Sequence, residues 1–310
     1  MTTNSYDQAK EQYFSARQRE RSPIASARSF LARNRMLRRI FDATYAGAYL
    51  RFFSQRTIKH HMARYLDPYP NVLFSRTGTG FSHNAELRVL DRFGAVRQKD
   101  ILLIGIEYGS EIDIPWTRYE PHSIVGIDIG EYEQAGRNRP AGRVPVKFLK
   151  MDASNLGFAP ESFDLVYSEG VMPHVIDVPG FVEHASQVLR PDGIFYAFCC
   201  PLWRTYGGSH IHTAGYDHLR LPPSALIDRA KSQHDGSYWW LEKGLFNRMR
   251  FRELFQVLED RFEVLRIGIV EAPDGRKYRA RYPNEWAALR GDFEEEDLLI
   301  RLVSFAARKR

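Results

Sequence analysis

From Asp100 onward the chain alternates short apolar runs with helical segments, and this rhythm restricts the fold more than any other feature. Residues 101–106 (ILLIGI) are apolar throughout, as a strand must be when both its faces are buried. Residues 123–129 (SIVGIDI), 146–151 (VKFLKM) and 163–168 (FDLVYS) read as three more strands. Residues 180–190 read as a helix, after which Pro191, Asp192 and Gly193 turn the chain into a fifth strand over 194–199. An amphipathic helix over 251–262 and two last strands, 262–270 and 298–306, complete the series. Strands separated by helices at this spacing imply crossover connections. The expected fold is α/β: a doubly wound, mostly parallel, seven-stranded sheet.

The flanking segments do not share this rhythm. Residues 1–80 read as an N-terminal helical extension or cap and residues 81–310 as the sheet domain. Within the extension, 28–66 carries apolar residues at helical spacing until Asp67, Pro68, Tyr69 and Pro70 break it. Ser82 and Asn84 offer caps for a helix that runs through 86–93 and closes at Gly94. An insertion at about 201–249, rich in Trp, Tyr, His and Gly, follows a strand's carboxyl end. Open α/β sheets bind ligands there, so the insertion reads as a lid or substrate wall. The piece over 271–296 is read the same way.

The net charge of +6 is concentrated near the N-terminus. Twelve Lys and Arg residues lie between Arg17 and Arg64, against only Glu20 and Asp42. Such a segment is either a solvated helical face or a surface for an acidic partner such as nucleic acid or anionic lipid. No run of about 18 apolar residues marks a membrane span. The first twenty residues hold no apolar segment of signal-peptide type, which predicts a cytoplasmic protein. The adjacent pair Cys199 and Cys200 suits a reducing compartment and lacks metal-type spacing, so no metal site is expected.

The ends of the strands carry a family pattern. Leu102–Gly109 (LLIGIEYG) followed by 125–129 (VGIDI) resembles the class I S-adenosylmethionine-dependent methyltransferases, and in particular their type 11-like domain. Lys150-Met151-Asp152-Ala153, the run Ser162–Ser168 continuing to His174, and Val188–Phe195 resemble the family's later landmarks, in the right order. The resemblance covers about residues 80–200 well and the rest in strand order only. It implies a Rossmann-like methyltransferase fold and S-adenosylmethionine as cofactor, with S-adenosylhomocysteine as product. Gly105, Glu107 and Gly109 would form the first turn, and Asp128 and Ile129 would meet the ribose and its surroundings. Asp152 and Ala153 would meet the adenine, with Ser168 and Glu169 at the next strand end. The first turn departs from the pattern: Leu103 stands where an acid is usual, and Glu107 where a second glycine is usual. Glu107 either crowds the donor or reaches its cationic groups.

Methyl transfer to an alcohol needs a base, and histidine suits this near neutral pH. The candidates are His174, after the fourth strand, and His210 and His212 in the insertion. The last two would face one side if that stretch were extended. Trp239 and Trp240 either stack on a flat ligand or pack the lid. The reading is O-methylation of a small or carrier-bound polar molecule such as a sugar, glycan or secondary metabolite. A nucleic-acid methyltransferase using the basic helix is one alternative, although SEGVMPH lacks the Asn/Asp-Pro-Pro-aromatic signature of many base methylators. A scaffold that kept the fold and lost the donor is the other. The apolar face of the N-terminal helix must be covered by the sheet domain, the site, or a second copy of the chain in a homodimer.

Overall fold

The computed structural model describes residues 72–75, 83–105, 119–130, 144–211 and 215–310. The basic segment and the helix expected over 28–66 lie outside the described residues.

Eight strands form one sheet. They are β1 (Val72–Ser75), β2 (Asp100–Ile104), β3 (Ser123–Asp128), β4 (Val146–Lys150), β5 (Phe163–Glu169), β6 (Leu189–Cys199), β7 (Phe262–Glu271) and β8 (Ile300–Lys309). Their order is β1-β7-β8-β6-β5-β2-β3-β4. β8 runs antiparallel to both of its neighbours, and every other pairing is parallel. The seven strands expected from the sequence are β2 to β8, and β1 adds an eighth at the edge, pairing with β7 from Val72↔Ile267 to Ser75↔Val270. The sheet therefore begins inside the stretch assigned to the helical extension. A four-residue strand flanked by turn residues carries too little periodicity to be recognised alone.

Chain order reverses between β2 and β5. From β2 the chain steps to β3 and β4 on one side, then returns to β5 and β6 on the other. Such a switch leaves a crevice at the carboxyl ends of the two central strands, where no crossover connection covers it. It is the place this fold provides for a ligand.

Helices cover the two faces. On one face α2 (Val178–Val188) and α5 (Phe251–Glu259) pack over a core in which Phe195 meets Phe181, Phe262 and Phe305 at ring-centroid distances of 5.3–5.5 Å. α5 points Phe251, Leu254, Phe255 and Leu258 inward, a helical stripe that only burial can satisfy. On the other face α1 (His83–Arg92) buries Leu87 and Leu90 against Ile101, Leu103 and Leu165. Asp177 caps α2 by accepting the Gly180 N–H at 3.0 Å.

At the amino ends of the strands an ionic clamp joins β2, β5 and β6. Residues 190–193 bulge between the pairings Phe163↔Leu189 and Leu165↔Ile194. Arg190 leaves that bulge to bind Asp164 at 2.7 Å and Asp100 at 3.0 Å. This clamp sits at the end of the sheet opposite the crevice, so its work is structural.

The insertion is a unit of turns and two short helices, α3 (Pro223–Ser232) and α4 (Tyr238–Glu242), around Trp203, Ile211, Leu226, Ala230, Leu241 and Phe246. The Leu202 N–H donates to Arg301 O at 3.0 Å, tying its start to β8. The 271–296 piece is helical: α6 (Pro273–Arg281), α7 (Pro283–Asp292) and α8 (Glu295–Leu299). α8 takes Leu298 and Leu299, so the last strand begins at Ile300, two residues later than the sequence reading placed it, and runs to Lys309. Tyr216 of the insertion packs among Trp286, Leu289, Leu298 and Leu299, and its hydroxyl donates to Leu298 O at 2.7 Å. The two pieces therefore share one core. Among the described residues no helix is long and apolar enough to cross a membrane.

Candidate active site

Register brings four strand ends level. Ile104 pairs with both Ile127 and Ser168, so Gly105, Asp128 and Glu169 stand side by side one residue beyond. Asp128 pairs with Lys150, which sets Asp152 two residues farther along the neighbouring edge.

Each position has a local cause. Gly105 has φ +80°, a left-handed conformation that a side chain resists, and its N–H donates to Ile127 O at 3.0 Å. A Cβ there would overlap Val171 Cγ2. Asp128 Oδ1 accepts the Gly130 N–H at 2.9 Å, and Asp152 Oδ1 accepts the Ser154 N–H at 2.8 Å. These turns fix the orientation of both carboxylates. Ile129, the residue after Asp128, is 51% exposed. Ala153 is buried.

On the far side of the crevice the Tyr167 hydroxyl donates to Glu169 Oε2 at 2.9 Å, while its ring stacks on Tyr196 at 4.8 Å and 12°. Ser168 points the other way. It is fully buried, and among the described residues its hydroxyl has no hydrogen-bond partner.

Beyond Glu169 the chain makes a one-turn helix, Met172–His174. The His174 Nδ1–H donates to Leu245 O at 2.7 Å, which leaves Nε2 as the acceptor nitrogen. Its ring lies on Trp240 at 4.0 Å, with His210 at 5.0 Å and Phe246 at 5.1 Å. Burial in this aromatic nest lowers the His174 pKa to about 4, against a smaller opposing effect of the Leu245 bond. The imidazole is neutral at physiological pH.

His210 has φ +65° within a run of turns, so the segment around it is not extended. The cause is Gly208: a Cβ there would strike the carbonyl of Trp203, and the backbone folds back on itself. The structure thus brings His174 and His210 together, whereas Glu107, Gly109 and His212 lie outside the described residues. Trp239 and Trp240 stack on each other at 4.0 Å and pack the insertion. Cys199 is buried and burial pushes its thiol pKa up, which suits a structural residue. Among the described residues no cluster of His, Cys, Asp and Glu has the makings of a metal site. The sequence reading passed over Asn247, which lies across from the Met172–His174 turn and some seventy residues away in the chain; no local signal marks it.

The chemistry of this edge suits an adenosyl ligand. Two oriented carboxylates can accept ribose hydroxyls and an adenine amino group, and the exposed Ile129 offers an apolar surface beside Asp128 in the chain.

Residues 103–197 match the family model described as a methyltransferase domain. The chain is 34% identical over 76 residues to the ubiquinone biosynthesis O-methyltransferase of Rhizobium rhizogenes, covering 24% of this chain and 31% of that protein. It is 39% identical over 59 residues to a mitochondrial arginine-hydroxylase of Danio rerio, covering 19% and 18%. The chain thus spans less than a third of these curated relatives. A solved S-adenosylmethionine-dependent methyltransferase from Mesorhizobium loti is similar over 74% of this chain and 99% of that one, at 19% identity and a TM-score of 0.46. The family match and the strand-end landmarks fall on the same stretch: residues 103–197, which hold Gly105, Asp128 and Asp152, match a methyltransferase domain.

Proposed function

We propose that the protein transfers a methyl group from S-adenosylmethionine to an oxygen of a small or carrier-bound polar acceptor in the cytoplasm. The observation that carries the donor half is the edge formed by Asp128, Ile129 and Asp152 beside the switch-point glycine, Gly105. Asp128 would hold the ribose hydroxyls and Asp152 the adenine amino group, with Gly105, Ala153, Ser168 and Glu169 shaping the surrounding wall. Glu107 and Gly109 would complete the first turn. Bound there, the cofactor supplies a methyl group already activated on a sulfonium.

The protein's remaining task is alignment and removal of one proton. Oxygen as the methylated atom is favoured by the histidines near this strand end: His174 follows Glu169 by five residues, and its ring meets that of His210 of the insertion at 5.0 Å. As the acceptor oxygen takes the methyl group and the S–CH3 bond breaks, an imidazole nitrogen would receive the hydroxyl proton, leaving S-adenosylhomocysteine as product. His210 and His212 are the remaining candidates for the base. His174 is buried and held neutral, which makes its nitrogen a weak proton acceptor. The relative named as an O-methyltransferase supports the same choice.

Calorimetric titration with S-adenosylmethionine and S-adenosylhomocysteine tests the donor half. Wild-type protein is expected to bind with micromolar affinity, about −8 kcal/mol. Asp128→Ala is expected to weaken binding about a hundredfold, because two charge-assisted hydrogen bonds are lost. A folded wild-type protein that binds neither compound removes this reading.

A further inference from the structure

The turn leaving β5 stands between the donor edge and the insertion, and one side chain fastens it. A three-residue helical turn satisfies few of its own carbonyl groups; here the Val175 N–H reaches Met172 O at 3.3 Å. Asn247 supplies the other donors. Its Nδ2 donates to Met172 O at 2.6 Å and to Val175 O at 2.9 Å. Its backbone N–H donates to Pro173 O at 3.1 Å. Its Oδ1 accepts the Met249 N–H at 3.0 Å, so the amide has one sensible orientation. Two residues earlier, Leu245 O takes the His174 Nδ1–H. Residues 245–249 are therefore stitched to residues 172–175 along their length.

The other flank of the same turn faces the donor. Val171 Cγ2 fills the space in front of Gly105, and the Gly170 N–H donates to Phe198 O at 2.7 Å. Contacts thus run without a gap from Gly105 through Val171 to the turn, then to Asn247 and His174, and on to Trp240 and His210. Packed side chains of this kind transmit displacement because they have little room to yield.

We propose that Asn247 is a positioning residue. It holds the turn over 170–175 as a wedge between the donor turn and the histidine pair, and so sets where the acceptor wall stands relative to the methyl group. It touches neither donor nor acceptor. The inference rests on the donor reading above and extends it to a residue outside the donor edge.

The test uses the full chain and S-adenosylhomocysteine as probe. Binding is measured by calorimetry, and the His174 ring is followed by NMR after imidazole labelling. In wild-type protein, saturation with the probe is expected to shift the His174 signal. Asn247→Ala is expected to bind the probe within about threefold of wild type and to lose the shift. A residue that only stabilised the fold would lower the melting temperature and leave the shift in place; that outcome overturns the proposal. So does a wild-type His174 signal that ignores bound probe. Val171→Ala, which loosens the wedge from the donor side and leaves the Asn247 bonds intact, is also expected to lose the shift, and it decides the matter if Asn247→Ala does not fold. Failure of wild-type protein to bind the probe at all shows up separately in the calorimetry and removes the donor reading together with this inference.

Discussion

Gly105→Ala is expected to lower both stability and affinity for S-adenosylhomocysteine more than any other single methyl addition at the strand ends. Two penalties coincide there. The backbone sits at φ +80°, where an L-residue costs roughly 1–2 kcal/mol. The added Cβ also overlaps Val171 Cγ2, and either the donor turn or the wedge behind it must move. Overpacking of this kind costs about 1–3 kcal/mol. The total, roughly 2–5 kcal/mol, corresponds to a drop of several degrees in melting temperature for a chain of this size. Adding Val171→Ala separates the penalties. The double variant is expected to recover the steric part and to retain the backbone part, a coupling that thermal melts of the four proteins measure directly. Additive losses would show that Val171 yields without cost and that only the backbone conformation matters.

A steep acid destabilisation is expected below about pH 6.5. Burial holds both His174 and His218 neutral, with pKa values lowered to about 4. His174 is faced by Leu245 O, Trp240, Phe246 and His210; His218 by Trp203, Asp217, Arg248 and the Gly215 backbone. Above pH 6.5 each ring is neutral in both folded and unfolded chains and contributes no pH dependence. Between about 6.5 and 4 the unfolded chain takes up a proton at each ring and the folded chain does not. Stability then falls with pH by up to about 1.4 kcal/mol per unit for each histidine. Asp297, whose pKa burial raises, works in the opposite direction. Urea midpoints between pH 7.5 and 5 would measure the slope. The substitutions His174→Asn and His218→Gln keep the amide donor nearest to Nδ1 and Nε2 respectively, and each should flatten the curve by about half of the histidine contribution. A flat wild-type curve would mean that the two rings titrate normally.

The central strands were legible because both their faces are buried, which forces unbroken apolar runs such as those ending at Ile104 and Ile127. Legible strand ends meant legible positions for Asp128, the last residue of β3, and Asp152, two residues past the end of β4. The short edge strand was not legible: Val72–Ser75 has four residues, and its partner, β7, lies far along the chain. The helices after Glu271 escaped for a different reason. Their buried residues, Trp286 and Leu289 among them, face Tyr216 of the insertion, so the stripe has meaning only once that partner is in place. Asn247 is the extreme case. Its role is defined by three carbonyls of a turn some seventy residues earlier, and an asparagine before a basic residue looks like any loop asparagine until those carbonyls are known.

The placement of β8 has a consequence for how the chain is made. β6 and β7 both precede β8 in the chain, yet they pair with it and not with each other. Until Ile300–Lys309 has been made, β6 and β7 each lack a partner along the edge that β8 will occupy. Ile300–Lys309 must then slide between them and complete two ladders in one step. Contacts of that long sequence separation form late, and open strand edges invite pairing with other chains in the meantime. Misassembly during synthesis would accordingly concentrate in the interval between the making of β7 and of β8, and slowing translation over that interval would lengthen the exposure.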